Sequence, residues 1–598
     1  MKKNIRTGDK LKIDTSDFGF SIGDEIVGTF VKNKNFGFVV PDDRKIKSDI
    51  YIAKKYFGKA KNKQKVVAKI IKFPKESKSI GGKIIEIIGN IDEAGVDMLS
   101  LVKAYRLPYE FPEPVIEEAK KIKLAISKKD IPNRLDLREK NIFTIDGEDA
   151  KDLDDAIYVE KLNDGNFELG VHIADVSYYV KENSKIDKEA ILRGTSIYML
   201  DRVIPMLPKE LSNGICSLNE GEDRFCISVI CQINSKGEII SSNIYKSVIN
   251  VKKRMSYNIV QKILDGKSKK ILKKYEKYIN DFKLMEELAL ILKKKREGLG
   301  SLDLNIPESK IILNEDGIAV DVKKYDMYFS NEIIEQFMLT TNEIVAEKFY
   351  WLEAPFIYRV HEEPDYEKIK ELNKFLFNLG YRIKGRKDNI HPKAFANVLE
   401  EVKEKPEERV VSNLILRTLK VARYESENKG HFGIASKYYC HFTSPIRRYP
   451  DLFIHRIISK YIENNYVIPE EDIKKYMKQA TKYAELSSER EKIAQKVERD
   501  AEDIKKAEFM QTKIGERYKG IISNITSFGV FVELENTVEG LIRFEDLGNE
   551  YFVYNESNST LIGEKSKRMY KIGDEIKIEV IYADKTSRKI NFRRLSKI

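Results

Sequence analysis

Six carboxylates crowd into ten residues of the segment Thr144-Ile145-Asp146-Gly147-Glu148-Asp149-Ala150-Lys151-Asp152-Leu153-Asp154-Asp155. Converging without a counter-ion, they would repel one another strongly. They either fan out as a solvated acidic turn or share a hard cation such as Mg²⁺, which takes carboxylate oxygens together with waters and phosphates. The flanks favour the second: FTI and AIYVE are apolar and strand-like, and Gly147 permits a tight turn that would gather the side chains. No alignment of the segment yields an EF-hand loop.

A cation beside a polyanion suggests phosphodiester chemistry, in which metal ions activate water and stabilise the leaving oxygen. The negative charge that develops would call for an arginine, and Thr443-Ser444-Pro445-Ile446-Arg447-Arg448-Tyr449-Pro450-Asp451 brackets two guanidiniums between prolines. Arg binds phosphate with a planar fork. The bland alternative is a surface pair bridged to Asp451. Other chemistries lack their residues. The six histidines show no H-E-x-x-H and no Cys/His metal spacing, and His431 and His441 read as structural. Gly380 to Lys387 lacks the Lys-Ser/Thr ending of a phosphate loop, and there is no G-x-S-x-G elbow.

The elements that position these groups follow from composition and pattern. At 598 residues and 42% apolar, the chain is long enough for about four domains with real cores. Its net charge is +12, and Arg44 to Lys83 alone holds fourteen Lys or Arg against Asp49 and Glu76. The basicity is therefore a localised patch that points to a polyanion. Cys216, Cys226, Cys231 and Cys440 form no disulfide or metal spacing, the start has no apolar signal region, and no membrane-spanning run exists. A cytoplasmic protein is expected.

After a leader at 1–21, five short β runs (EIVGTFVKN, FGFVVPDD, DIYIAKK, KVVAKIIKF, GKIIEIIG) predict a small barrel over 22–92. A Pro-rich, then Glu/Lys-rich linker follows at 93–125. Residues 126–510 mix strands and helices, with a hairpin at Asn163-Asp164-Gly165 and one long charged helix over 470–510. Five further β runs predict a second barrel over 511–598. The fold class is thus multidomain α+β between two β-barrels. Period-two spacing puts Phe36 and Phe38 on one face beside lysines, a stacking platform for single-stranded bases, or else filling for the barrel. Phe528 and Phe531 offer the same choice in the second barrel.

These residues resemble a known family. TIDGEDAKDLDDA, RGTSIYMLDRVIPMLPKELSNGICSLNEGEDR and GHFGIASKYYCHFTSPIRRYPDLFIHR are similar to signatures of the RNase II / RNase R (RNB) exoribonucleases, closer to the RNase R branch. The first barrel is similar to a cold-shock OB fold and the last to an S-one RNA-binding OB fold. The resemblance implies Mg²⁺-dependent, processive 3′→5′ hydrolysis of single-stranded RNA to nucleoside 5′-monophosphates, by a monomer that threads the 3′ end into a channel. Carried over motif by motif, it gives metal-holding roles to Asp146, Asp152 and Asp155 and the cleavage step to Asp154. Arg447 would grip the terminal phosphates and Tyr198 would stack on the last base. Tyr358 would be the aromatic at the other end of the base stack, and Glu335 and Glu498 would line the channel near the last ribose. One complete cold-shock barrel is legible where long members carry two, residues 1–20 are too short for another, and no Lys-rich tail precedes Ile598. A catalytically silent RNA-binding scaffold is the competing reading; it would have lost some of the four aspartates.

Overall fold

The computed structural model describes residues 21–43, 45–73, 80–304, 307–385, 390–405, 407–555 and 560–595. The expected leader thus lies outside them, except for Ser21. The first barrel consists of Glu25–Lys32, Phe36–Pro41, Ile50–Ala53, Gln64–Lys72 and Ile80–Asn90, closed in the order first, second, third, fifth, fourth. Side-chain alternation sends Phe30, Val39, Ile50, Ile52, Val66 and Ile70 into its centre. Each such burial stabilises by about 1.5–3 kcal/mol. Gly37 makes room for this core, because a Cβ there would lie 2.5 Å from the Phe30 ring. Phe30 therefore fills the barrel, while Phe36 and Phe38 stand outside it.

The second barrel, Arg517–Thr526, Gly529–Leu534, Glu539–Arg543, Glu575–Asp584 and Lys589–Arg594, closes in the same way. Between its third and fourth strands, a short helix and a three-stranded sheet fill the expected insert.

The middle region is organised by a sheet ordered Asp223–Ile233, Phe167–Ala174, Asp155–Lys161, Ile142–Asp146, Ile239–Ser256, Leu135–Asp136. Its longest strand, Ile239–Ser256, serves two partners. It pairs antiparallel with Asp223–Ile233 and then, from Val251, parallel with Ile142–Asp146, so the sheet folds back on itself. The expected hairpin turn is present, with Gly165 at φ +86°. Phe143 packs against Tyr278 and Phe282 from the neighbouring helical layer.

Three helices frame the site: Phe329–Trp351, Tyr449–Glu463 and the 42-residue Glu470–Gln511. The last buries Ala480, Ala484, Ala494, Val497 and Ala501, and i,i+4 pairs such as Glu470–Lys474 and Glu502–Lys506 line its wet side. The segment 93–125 carries helices Val96–Ala104 and Glu113–Lys120. Met98, Leu101 and Val102 of the first share a core with Ile197, Met199, Val497 and Ala501, which ties the segment that follows the first barrel to the middle region.

Candidate active site

The acidic segment is the connection between two adjacent strands. Asp146 ends Ile142–Asp146 and Asp155 begins Asp155–Lys161, so both stand at one edge of the sheet. The loop between them is pinned from outside. Ser217 Oγ donates to the Lys151 carbonyl (2.8 Å) and accepts from Leu153 N–H (3.2 Å). Leu218 N–H donates to the Leu153 carbonyl (3.0 Å), and Ala174 N–H to the Asp154 carbonyl (2.9 Å). Leu153 is fully buried and anchors this half of the loop in the core. The expected tight turn is present, with Ala150 N–H donating to the Gly147 carbonyl at 3.2 Å, but gathering the carboxylates does not rest on Gly147 itself. Its φ is not positive, and a Cβ there would meet nothing within 4 Å. The flanking strands and the buried Leu153 do that work.

The basic turn closes over the loop and separates its two arginines. Arg448 is the structural one: its Nη2 lies 2.7 Å from Asp451 Oδ1, and Asp451 is fully buried and also accepts from Ser444 N–H (2.8 Å). The expected bridge to Asp451 thus holds for Arg448, but as a largely buried pair and not a surface one. Arg447 faces the acidic loop instead, with Nε 3.8 Å from Asp154 Oδ2. Ile446 N–H donates to Asp154 Oδ1 at 2.8 Å. The Arg447 carbonyl accepts from Ser196 N–H (2.9 Å), which draws in the strand that carries Tyr198.

Asp154 is 4% exposed, and burial pushes its carboxyl well above the usual range against the pull of Arg447. Asp146 and Asp155 are raised too, first by burial and, for Asp146, next by the Asp155 charge; Arg254 and Arg447 oppose the rise at Asp146. Burying ionised carboxylates costs several kcal/mol each unless a counter-charge is supplied. Two of their oxygens, Asp146 Oδ2 and Asp154 Oδ2, are buried with no hydrogen-bond partner in the protein. The donor set therefore fits a hard divalent cation. Among the described residues no group of three or more His, Cys, Asp or Glu side chains is placed to hold a metal ion by itself. Mg²⁺ usually takes one or two carboxylates and fills its shell with waters and substrate phosphates.

Tyr198 is 39% exposed and joins the centre directly: its hydroxyl donates to Asp152 Oδ2 (2.6 Å) and its N–H to Glu498 Oε1 (2.9 Å). Asp152, Tyr198 and Glu498 are thus one connected group. Glu335 lies on Phe329–Trp351, and its carboxyl is raised by its recessed setting and then by Glu332 and Asp303, neither of which belongs to the aspartate loop. Tyr358 departs from its expected role. It is 4% exposed, belongs to the main core and packs on Phe356 with ring centroids 5.7 Å apart, so it offers no free face to a base. The reason is its strand, Tyr358–Val360, which pairs with Arg423–Glu425 inside the domain.

On the first barrel, Phe36 (37% exposed) and Phe38 sit 5.5 Å apart. The sequence reading missed a third ring: Tyr51, opposite Phe38 in the strand register, lies 6.0 Å from Phe36 and stacked on it. The signal was present in the alternation of DIYIAKK, but pairing Tyr51 with Phe38 needs the register. On the second barrel, Phe528 is exposed and meets Phe531 edge-on at 6.1 Å. Also missed were Arg254 and Tyr257; Tyr257 shares a cavity with Asp146, Lys310 and Tyr325. The histidines are structural. His172 meets Ser228 Oγ at 2.6 Å, His441 meets the Tyr424 hydroxyl at 2.8 Å, and His431 packs edge-on against Tyr439. The four cysteines are buried and unpaired, and among the described residues no helix is long and apolar enough to cross a membrane.

Buried carboxylates with orphaned oxygens, an arginine aimed at them, and exposed rings on two barrels are the groups a phosphodiesterase acting on a nucleic-acid strand would need. The family models agree in content and order: Cold shock domain over 38–112, RNB domain over 134–464 and S1 RNA binding domain over 511–594. Among curated proteins, Ribonuclease R of Thermotoga maritima is 45% identical over 95% of this chain and 80% of its own length. Ribonuclease R 1 of Lactococcus lactis is 41% identical over 96% of this chain and 71% of its own. Among solved structures, Mycoplasma genitalium RNase R in complex with ribose methylated single-stranded RNA superposes with a TM-score of 0.89 at 28% identity, covering 96% of this chain and 89% of that one. The chain belongs to the ribonuclease R family of RNB-domain nucleases and is a hydrolytic 3′→5′ exoribonuclease that binds RNA.

Proposed function

We propose that this enzyme draws the 3′ end of single-stranded RNA past the two barrels into the carboxylate centre and removes nucleoside 5′-monophosphates processively. Asp146, Asp152 and Asp155 would hold Mg²⁺, which when bound supplies charge neutralisation and an activated water. The observation that carries this reading is the pair of buried, unpartnered oxygens on Asp146 and Asp154, with Arg447 facing them. In each step water oxygen bonds to phosphorus and the bond from phosphorus to the O3′ of the preceding nucleotide breaks. That O3′ takes up a proton, and the last nucleotide leaves with the phosphate. Asp154, held by Ile446 N–H, orients the attack, and Arg447 meets the charge growing on the phosphoryl oxygens.

Tyr198 stacks on the terminal base, and Glu498, tied to the Tyr198 backbone, and Glu335 line the ribose side of the channel. Phe36, Phe38, Phe528 and Phe531 give sequence-tolerant stacking outside it. Continued contact with a basic, aromatic surface keeps the strand engaged between steps. The enzyme works as a monomer in the cytoplasm, in keeping with its four unpaired cysteines and with one chain supplying every group of the site.

The test uses 5′-labelled single-stranded RNA with Mg²⁺, sampled over time on a denaturing gel. The expected result is full-length RNA passing to a very short labelled oligomer with few intermediates. A ladder of evenly accumulating intermediates would overturn processivity. Intact, bound RNA would mean a scaffold.

A further inference from the structure

The loop that carries the aspartates is held by two different means. Its second half, Lys151 to Asp154, is fixed by Ser217, Leu218 and Ala174 and by the buried Leu153. Its first half, Gly147 to Ala150, has one outside clamp on its carbonyls among the described residues, the guanidinium of Arg254. Arg254 Nη2 donates to the Glu148 carbonyl at 3.1 Å and to the Ala150 carbonyl at 2.5 Å.

Arg254 is well placed for this. It lies beside Thr144 in the parallel ladder, two residues before Ser256, which stands beside Asp146. Its own backbone N–H donates to Glu220 Oε2 at 2.9 Å, and Glu220 also pairs with Lys253. The side chain is half-buried, and among the described residues it forms no ion pair, so its charge is not spent on a dedicated carboxylate. That charge acts on Asp146.

We propose that Arg254 is a positioning residue for the metal centre, clamping the first half of the loop so that Asp146 on the strand and Asp152 beyond the clamp keep a fixed register for the cation. The inference rests on the metal-centre reading above. Without the clamp, Glu148 to Ala150 lose their one external carbonyl partner among the described residues, and the link between the two aspartates is free to shift. A lysine in its place would keep the charge but present a compact ammonium in place of the planar guanidinium whose Nη2 makes both bonds. Outer groups that orient metal ligands typically change metal affinity by about 10–100-fold when removed.

The experiment uses the full chain without RNA and Mn²⁺ as probe, with free Mn²⁺ read by electron paramagnetic resonance. Arg254→Met should weaken Mn²⁺ binding by about 10–100-fold and Arg254→Lys by less. RNA affinity measured in a chelator should be unchanged, and high Mg²⁺ should partly restore the single-turnover rate of Arg254→Met. If RNA affinity in the chelator falls while Mn²⁺ binding holds, Arg254 is a phosphate contact and the inference is wrong. Should Arg254→Met fail to fold, Arg254→Lys decides: reduced Mn²⁺ affinity at unchanged Tm supports the clamp, and unchanged affinity overturns it. Wild-type protein that binds no Mn²⁺ overturns the metal-centre reading and the inference with it. Normal wild-type binding with unaltered variants overturns the role of Arg254 alone.

Discussion

The carboxylate loop and the outer face of the first barrel solve opposite problems. In the loop, charges are taken out of water and are held, with the backbone that carries them, by hydrogen bonds from separate segments: Ile446 on Asp154, Tyr198 on Asp152, Ser217 and Leu218 on Leu153. On the barrel, Phe36, Phe38 and Tyr51 lie on one surface as neighbouring rings, the platform proposed above for bases. The first region depends on every group; the second is redundant. Loss of one loop residue should therefore act on the chemical step, and loss of one ring only on binding.

The largest effect should come from Asp154→Asn. The side chain keeps its shape but loses its charge beside Arg447, and hydrolysis should fall by about 10³-fold or more in single-turnover assays. RNA affinity should stay nearly constant; affinity lost in step with rate would make Asp154 a structural residue.

The two arginines of the turn sharpen the contrast within the site. Arg447→Lys should lower kcat by about 10²-fold with little change in Tm, the scale for removing one donor to a developing charge. Arg448→Met should leave Asp451 buried and unpaired and cost about 3–5 kcal/mol, seen as a lower denaturant midpoint. Comparable loss of stability in both variants would erase the distinction between them.

A milder change is expected in stability against pH. Asp146 and Asp155 hold their protons to higher pH in the folded chain than in the unfolded one. The metal-free protein binds more protons folded than unfolded above the ordinary carboxylate value of 3.8, so its stability should fall as pH rises from there through the raised values. Mg²⁺ binds the ionised forms, so it should raise Tm more at pH 8 than at pH 5. Equal Mg²⁺ stabilisation at both would place the cation elsewhere.

The smallest effects belong to the aromatic surfaces. Tyr198→Ala should lengthen the limit product on a gel by removing the terminal stack. Phe36→Ala or Tyr51→Ala should each weaken RNA binding by about 1–3 kcal/mol and raise KM rather than lower kcat. A drop in kcat would mean that the barrel takes part in the chemical step.

Much of this was legible in the chain. Ten short runs of alternating residues marked both barrels, and a long charged run marked the helix Glu470–Gln511, because those patterns are local and need no partner to be read. The density of carboxylates at 146–155 and the bracketed arginines at 447 and 448 announced a centre for the same reason. What the chain could not assign was each residue's direction. Tyr358 has the right type for a base stack, but its short strand pairs inside the domain and the core takes its ring. Tyr51 became part of a platform only through its register with Phe38. Arg448 turned to Asp451 while Arg447, one residue earlier, turned to Asp154. Residue type and spacing follow from the sequence alone, whereas burial and partner choice depend on segments far apart, 292 residues between Ile446 and Asp154 and 300 between Tyr198 and Glu498, and are settled only when the chain is packed.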